Sequence, residues 1–455
     1  MEGNFLPYLL LGILLILGLA STRAVKPAKL PNVTGYLIIG LVAAIICIVV
    51  DNLTGNTLGL VESLDQLNEF ISPIALGFIA LSIGEEFKLS KIKEYGTKII
   101  GITLLQAFAA VFLVDVVLLI VCLATGQSVA IALCLGAIAT ATAPAATIMV
   151  INQYKAKGPL VDLLLPVVAF DDAVGLIVFA ISVAISKVII TGAEITIVSL
   201  VLIPLLEIVG SLVLGFVLGW LMHILIKFFK SRDNHSINLI AFTILGVASC
   251  EALNQISVNG QHLEFSNWLC CMMIGAAYTN LTKNDEEFHL VERDFGLIKH
   301  WTPFLFMLFF VLSGTHLVSS ATSIFETAQQ GNGISLGLVA IIFVCYIVMR
   351  SGGKYFGAYI GCKLTKRSPL ITKYLGITLL PQAGVAIGMA LTIGRIEDFK
   401  IGGIGDAIIT VVLCATLVYE LVGPLLTKWS LNKAGEIPDE NGNYPYLSID
   451  DTERK

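Results

Sequence analysis

Apolar runs long enough to cross a lipid bilayer recur along almost the whole chain of 455 residues. A helix of about 20 apolar residues spans the hydrocarbon core of a membrane, where the backbone must satisfy its own hydrogen bonds. Charged residues make up 13% of the chain, against about 25% in a soluble domain. The sequence therefore predicts an all-α polytopic membrane protein that is surrounded by lipid. We also expect that it is not an enzyme and binds no nucleic acid.

Thirteen spans follow from these apolar runs and the loops between them. They lie at about 5–21, 34–51, 68–87, 98–124, 128–152, 159–187, 195–229, 236–255, 264–282, 295–319, 334–362, 371–396 and 404–430. Lys and Arg cluster in the loops after the odd-numbered spans, and such residues accumulate on the cytoplasmic side. We therefore predict an outside N-terminus, a single membrane domain over residues 1–430 and a short polar cytoplasmic tail, 431–455.

Two of these spans contain helix-breaking residues at mid-depth. The fifth has Pro144 within GAIATATAPAATIMV, and the twelfth has Pro381 and Gly384 within LLPQAGVAIGMAL. A proline inside a helix removes a backbone hydrogen bond, and broken backbone persists in a membrane only beside a buried or wet cavity. An ordinary proline kink without a ligand is the alternative for either helix alone. The polar side chains beside the breaks, which could satisfy free carbonyls or ligate a cation, are Thr140, Thr142 and Gln382.

The two interrupted spans lie seven spans apart, so they cross the membrane in opposite directions on the predicted topology. Interrupted helices at corresponding places in two halves indicate an inverted-repeat transporter with its site at the membrane midplane. We therefore predict that spans 5 and 12 are two crossed, discontinuous helices.

Two adjacent aspartates, Asp171 and Asp172, stand in the apolar run VVAFDDAVGLIVFAI of the sixth span. An aspartate at mid-bilayer costs about 2.5–3.5 kcal/mol on insertion scales. Neighbouring helix residues point about 100° apart, so one carboxylate can face an ion cavity while the other reaches a partner helix. A structural ion pair that only holds helices together is the alternative.

A basic partner for the aspartates is available in the eleventh span, in the run MRSGGKYFGAYIG. Arg350 and Lys354 lie one turn apart on the same helix face, and either could neutralise an aspartate. A buried lysine can lose its proton whereas an arginine stays charged, which favours Lys354 as a titrating partner and leaves Arg350 as its rival. A lysine that reaches out to the membrane surface is the alternative for Lys354.

These groups suit a site that holds either protons or a dehydrated monovalent cation, because hard cations prefer oxygen ligands. Competition for one site, combined with alternating access, produces exchange. We therefore predict a secondary antiporter that needs no cofactor and whose substrates are H⁺ and Na⁺, Li⁺ or K⁺. An organic-anion symporter of related fold is an alternative. An intramembrane aspartyl protease is disfavoured, because its two carboxylates must share one proton and adjacent helix residues diverge.

Four runs together resemble the cation/proton antiporter superfamily and follow one another in family order. They are ATATAPAATIMVINQYKAKGPL, VVAFDDAVGLIVFA, MRSGGKYFGAYIGCKL and LGITLLPQAGVAIGMAL. The resemblance implies a homodimer in a bacterial cytoplasmic membrane, with elevator-like movement of a core bundle against a scaffold bundle. The scaffold would comprise about 5–90 and 236–319, the core 98–187 and 334–430, and a linker helix 195–229.

The same resemblance assigns roles to individual residues. Asp172 matches the acidic residue that binds cation or proton, and Asp171 matches the second acidic position of the electrogenic members. Lys354 matches the basic residue that pairs with that second position when no cation is bound. A common variant of the family has serine or aspartate at the position of Ala143. Alanine leaves fewer side-chain ligands for a cation, so the ion preference stays open. Na⁺ is the first expectation, and a potassium/proton antiporter or potassium efflux protein of the same superfamily is the alternative.

Overall fold

A computed structural model describes most of the chain, and its helices agree with the polytopic helical class. The described residues are 5–27, 32–55, 58–86, 89–143, 147–148, 150–151, 154–192, 203–229, 231–255, 257–258, 261–262, 265–281, 291, 293–297, 303–329, 334–439 and 443–445. Within these ranges, ten helices are long and apolar enough to cross a membrane. The count of thirteen spans and the orientation stay predictions.

The helices of the described part are numbered here in chain order. They are α1 Leu6–Val25, α2 Asn32–Leu53, α3 Leu60–Glu86, α4 Leu89–Thr125, α5 Ala130–Ile138, α6 Pro159–Thr191, α7 Ile203–Ile226, α8 Arg232–Leu253, α9 Asn267–Leu281, α10 Pro303–Gln329, α11 Leu336–Leu364, α12 Pro369–Thr378, α13 Gly384–Arg395 and α14 Ile404–Lys433, with a 3-10 helix at Glu397–Gly403. The same ranges also contain one pair of short antiparallel strands, β1 Ser257–Val258 and β2 Gln261–His262. Apart from this pair, the regular elements of these ranges are helices.

The third predicted span, 68–87, is part of a longer helix, because α3 already begins at Leu60. Its first turns, LVESLDQLNEF, carry acidic and amide side chains. These lower the hydropathy of the stretch, so the predicted span began too late. The carboxylate of Asp51, near the end of α2, accepts hydrogen bonds from the backbone N–H groups of Leu60 and Val61 at 3.1 and 2.9 Å. Satisfying the free N–H groups of a helix start stabilises that start, so α3 begins in its polar turns.

The chain divides into two compact units, of which the first comprises 1–17, 46–94 and 193–312. In this unit α9 packs against α3, α7 and α8. Glycines allow the backbones to approach closely: a Cβ on Gly275 would lie 2.3 Å from the carbonyl oxygen of Leu81, and one on Gly215 would lie 2.3 Å from that of Cys270. Small residues at helix contacts are typical of membrane helices.

The second unit comprises 18–45, 95–192 and 313–455 and contains both interrupted spans. The fifth span breaks at 139–143, after α5 ends, although Pro144 itself lies outside the described residues. The twelfth span breaks at 379–383, with Pro381 inside the break and Gly384 as the first residue of α13. The backbone N–H of Ala143 donates to the carbonyl of Pro381 at 2.8 Å, so the two breaks contact each other.

The residues that follow α14 are also part of the second unit. Glu436 is buried, and its two carboxylate oxygens accept hydrogen bonds from the N–H groups of Leu160 and Val161 at 2.5 and 2.9 Å. Gly158 leaves room for this contact, because a Cβ there would lie 2.5 Å from Cδ of Glu436. The first residues of the predicted tail therefore cap the first turn of α6, the helix that carries Asp171.

The protonation of Glu436 is coupled to this docking. Burial raises the pKa of Glu436 to about 7 from an ordinary value of 4.5, against two backbone hydrogen bonds that lower it, and nearby Asp162 adds to the increase. Since the docked carboxyl group has the higher pKa, docking is strongest when Glu436 is protonated. Its contribution is present below about pH 4.5 and is lost as the pH rises towards about 7.

We therefore predict that Glu436→Gln removes a pH dependence of stability. The amide carries no titrating proton, so the melting temperature of the wild type should fall relative to that of E436Q between about pH 5 and about pH 8. Thermal unfolding of the two proteins in detergent measures this difference. Glu397→Gln is the control, because Glu397 is exposed and pairs with Lys400 at the surface. A constant difference between wild type and E436Q across this range would contradict the prediction.

Candidate ion-binding site

The side chain of Asp171 is fully buried and accepts hydrogen bonds from three other segments of the second unit. The amide nitrogen of Gln106, on α4, lies 2.5 Å from Oδ1. Oδ2 accepts from the hydroxyl of Thr142, in the break after α5, and from the ammonium of Lys354, on α11, at 2.5 Å. The carboxylate therefore joins three elements at one point beside the broken fifth span.

Lys354 is the basic residue that pairs with Asp171 in this structure, and both side chains have zero exposure. Its ammonium also donates to Oγ1 of Thr142 at 3.0 Å and to the backbone carbonyl of Thr140. The single hydroxyl hydrogen of Thr142 goes to Asp171, so its lone pairs are free to accept from Lys354. Three oxygen atoms thus surround the ammonium, as oxygens would surround a bound monovalent cation.

A buried ion pair of this kind has a large energetic consequence. Removing one partner of a buried pair leaves an uncompensated charge and typically costs about 3–5 kcal/mol. Asp171 therefore needs either Lys354 or another positive charge, such as a proton or a cation, in every state of the protein.

Arg350, the predicted rival of Lys354, does not pair with Asp171 and instead binds backbone carbonyls at both breaks. Its guanidinium donates to the carbonyls of Ala139 at 3.1 Å, Ala141 at 2.6 Å and Leu380 at 2.8 Å. Carbonyls at the end of a helix have no partner within the helix and carry partial negative charge. A fixed positive charge with several donors satisfies them and holds the two breaks together.

Gln382 also supports the breaks, which is one of the two roles predicted for it; its role as a cation ligand stays a prediction. Its amide nitrogen donates to the carbonyl of Ile138 at 3.0 Å and to the hydroxyl of Tyr346 at 2.9 Å. The hydroxyl of Thr140 donates to the carbonyl of Ala137 at 2.7 Å, so Thr140 faces Lys354 with its carbonyl and not with its side chain. Of the three predicted polar side chains, only Thr142 contacts Asp171 within the described part.

Asp172 follows Asp171 in α6, and its backbone is helical. Its side chain lies outside the described part of the structure, so its predicted binding of a cation or proton stays a prediction.

Glycines on α11 bring Lys354 close to α4. A Cβ on Gly353 would lie 2.5 Å from Cα of Ala110, and one on Gly357 would lie 2.5 Å from Cα of Gln106. Gly175 brings α6 close to the break after α5, because a Cβ there would lie 2.4 Å from the hydroxyl of Thr140. The positions of Lys354, Gln106 and Asp171 therefore depend on the absence of side chains at these points.

Gln106 and Tyr346 are site residues that the sequence analysis missed. Gln106 is fully buried, and its Oε1 has no hydrogen-bond partner among the described residues, although its nitrogen binds Asp171. A lone glutamine within the apolar run ITLLQAFAAVFL could have indicated the first of them. Tyr346 gave no such indication, because tyrosine is common in membrane helices.

Membrane helices with a buried Asp–Lys pair beside two broken helices indicate an ion-coupled transporter. The profile of the family described as "Sodium/hydrogen exchanger, transmembrane" matches residues 11–433. The chain therefore belongs to the sodium/hydrogen exchanger family, whose members are cation/proton antiporters of the membrane. The predicted membership of the cation/proton antiporter superfamily is confirmed.

A solved structure shows the same fold. The chain is similar to the sodium proton antiporter MjNhaP1 from Methanocaldococcus jannaschii, solved at pH 8, with a TM-score of 0.69 and 17% sequence identity. The match covers 95% of this chain and 98% of that one. At this identity the likeness concerns the fold alone. No curated protein gives a significant sequence match.

We predict that Gly353→Ala disrupts the site, whereas its neighbour Gly352→Ala does not. The Cβ of G353A would meet the backbone of Ala110, while that of G352A meets only Leu113 Cδ1 at 4.0 Å. Overpacking of this kind costs about 1–3 kcal/mol and would push Lys354 away from Asp171. Melting temperature in detergent and cation-driven proton movement in vesicles measure the two effects. Equal behaviour of the two variants would contradict this account of the packing.

Proposed function

We propose that this chain exchanges Na⁺ for protons across the membrane by alternating access to a site at Asp171 and Asp172. The observation that carries the proposal is the position of the Lys354 ammonium. It is held by a carboxylate, a hydroxyl and a backbone carbonyl, from Asp171, Thr142 and Thr140. These are hard oxygen ligands of the kind that a small cation prefers, so the lysine takes the place of the ion when no ion is bound.

Competition between Lys354 and the cation follows from this arrangement. An arriving cation brings the positive charge that Asp171 requires, so the ammonium no longer has to supply it. A lysine in a dry environment next to a cation is destabilised as an ammonium, since desolvation and like charge both favour its neutral form. Lys354 therefore releases a proton as the cation binds.

Asp172 supplies the second proton in this scheme. On the resemblance it is the acidic residue that binds cation or proton, and a charged aspartate at mid-bilayer without a counterion is costly. Asp172 is protonated in the ion-free state and gives up its proton when the cation arrives. Two protons would then exchange for one monovalent cation, and each cycle would move net charge.

Gln106 adds a further oxygen to the proposed site. Its buried Oε1 has no partner among the described residues, and its amide nitrogen is fixed on Asp171. A buried carbonyl oxygen without a partner is costly, and a bound cation would satisfy it. The fifth-span position Ala143 contributes no side-chain oxygen, so K⁺ and Li⁺ are the competing substrates that the experiment below compares.

The proposed movement requires two bundles and two crossed helices. We infer that the interrupted spans 5 and 12 are the crossed helices of an inverted repeat, and that their bundle moves against a scaffold within a homodimer. The contact between Ala143 and Pro381, together with the three carbonyls on Arg350, supports a unit that moves with both breaks intact. The membrane concerned is proposed to be a bacterial cytoplasmic membrane.

Transport in proteoliposomes with an internal pH dye tests the proposal. Adding Na⁺, Li⁺ or K⁺ to the wild type should drive proton movement, fastest for Na⁺ and faster when the voltage is clamped to favour the charge moved. Asp172→Asn should abolish it, because the amide cannot exchange a proton for a cation. Asp162→Asn is the matched control, since Asp162 lies exposed in the first turn of the same helix.

Three outcomes would count against the proposal. No proton movement with any of the three cations would refute cation/proton exchange. Full exchange in D172N would refute the assignment of Asp172, and a rate that is independent of voltage would refute the movement of net charge.

A further inference from the structure

A carboxyl group outside the site described above lies buried in the second unit, at Glu420 of α14. Its side chain is 1% exposed. Neither carboxylate oxygen has a hydrogen-bond partner among the described residues. An anion without a counterion is far more costly to bury than a neutral acid, so Glu420 holds a proton in this conformation.

Three hydroxyl groups share the same face of α14, those of Thr416, Thr427 and Ser430. At about 100° per residue they lie within roughly 80° of Glu420. All three side chains are buried, and their oxygens have no partner in the described part of the chain. Helical threonines and serines often donate to the carbonyl one turn back, as Thr392 of α13 does to Gly388, but these three do not. We call Thr416, Glu420, Thr427 and Ser430 the polar stripe of α14.

Around Glu420, the polar stripe lies beside the break in the twelfth span. Gly423 lies on the same side of α14, and a Cβ there would come within 2.9 Å of Cγ of Pro381. The ring of Tyr419 lies 4.4 Å from the guanidinium carbon of Arg350. Glu420 is therefore close to the breaks that Arg350 holds, and the stripe runs from there to the end of α14 that the charge pattern places in the cytoplasm.

Few other titratable or charged groups face this level of α14. Among the described helices packed against it, α11 contributes Tyr346 and Arg350, whose hydroxyl and guanidinium are bound at the breaks, and α12 contributes Tyr374, which packs on Trp429 further along. The acids and bases of α13 and the 3-10 helix lie near the start of α14, about 24 Å away along the helix at 1.5 Å per residue. They are Arg395, Glu397, Asp398 and Lys400.

We propose that Glu420 is a proton-carrying residue of the exchange cycle, and that the polar stripe connects the ion site to the cytoplasm for protons. The inference rests on the proposed function. A proton released at the site forms an O–H bond on Glu420 while the proton already there leaves along Thr427 and Ser430. One O–H bond forms as another breaks, so Glu420 stays neutral before and after the step.

Two transport measurements on the whole chain separate this role from others. The first is proton movement driven by Na⁺. The second is exchange of tracer Na⁺ between vesicles with Na⁺ on both sides, which moves no net protons. Glu420→Gln should slow proton movement by at least about tenfold, the scale of a lost proton-transfer group, and leave tracer exchange unchanged. Glu420→Asp should recover part of the proton movement, and Thr427→Val should slow it more weakly.

Matched controls make the outcomes distinct. Glu207→Gln removes a buried carboxylate in the first unit and should leave both rates as in the wild type. A parallel fall of both rates in E420Q would overturn the inference, because it would show a structural role or a second cation site. An unchanged proton rate would overturn it too. A wild type without cation-driven proton movement would instead refute the proposed function.

Infrared spectroscopy of the purified protein gives a readout that does not depend on transport. Neutral carboxylic acids absorb as a carbonyl band to which Asp172 and Glu436 also contribute, so one component of that band should be present in the wild type and absent in E420Q. A spectrum without that difference would show that Glu420 is ionised, which would contradict the inference even if the variant transports poorly.

Discussion

The architecture of the second unit depends on how the free carbonyls of two broken helices are satisfied. In a membrane core an unpaired backbone group costs several kcal/mol, so breaks at 139–143 and 379–383 need donors from elsewhere. The guanidinium of Arg350 supplies three of them, to Ala139, Ala141 and Leu380. The amide of Gln382 adds a fourth, to Ile138. Arg350 stays charged at any physiological pH, so this support does not vary with the protonation changes that transport requires.

Lys354 lies one turn further along α11. It differs from Arg350 because it can lose its charge and because it has other partners. Its ammonium lies among Asp171, Thr142 and the carbonyl of Thr140, with no exposure to solvent. The two basic residues of α11 thus have different roles. Arg350, with a permanent charge, holds the breaks together, and Lys354, with a charge that can be removed, occupies the proposed ion position. Neutral oxygens and one carboxylate remain for a cation when the lysine is uncharged.

Much of the second unit and its site could be predicted from the sequence, and the features that could not be predicted have physical reasons. Pro381 and the DD pair stand out because hydrocarbon tolerates neither without a compensating structure, so the broken spans and the buried aspartate were predictable. The choice between Lys354 and Arg350 was not predictable, because both lie on one face and a single turn decides which of them reaches Asp171.

Residues that are distant in sequence were also not predictable. Gln106 and Glu436 lie far from α6 in sequence, and only the folded chain brings them to it. The sequence left two roles open for Gln382, because an amide can donate to a free carbonyl or ligate a cation, and in the structure it donates to the carbonyl of Ile138.

The central claim is that a cation displaces protons from the site and that Lys354 is one of their carriers. Calorimetric titration of the purified protein with Na⁺, in buffers of different ionisation enthalpy, counts the protons released for each cation bound. The account predicts that binding releases protons in the wild type, that affinity falls as the pH is lowered, and that Lys354→Gln releases about one proton fewer per cation. Sodium binding with no proton release, or the same release in wild type and K354Q, would contradict it.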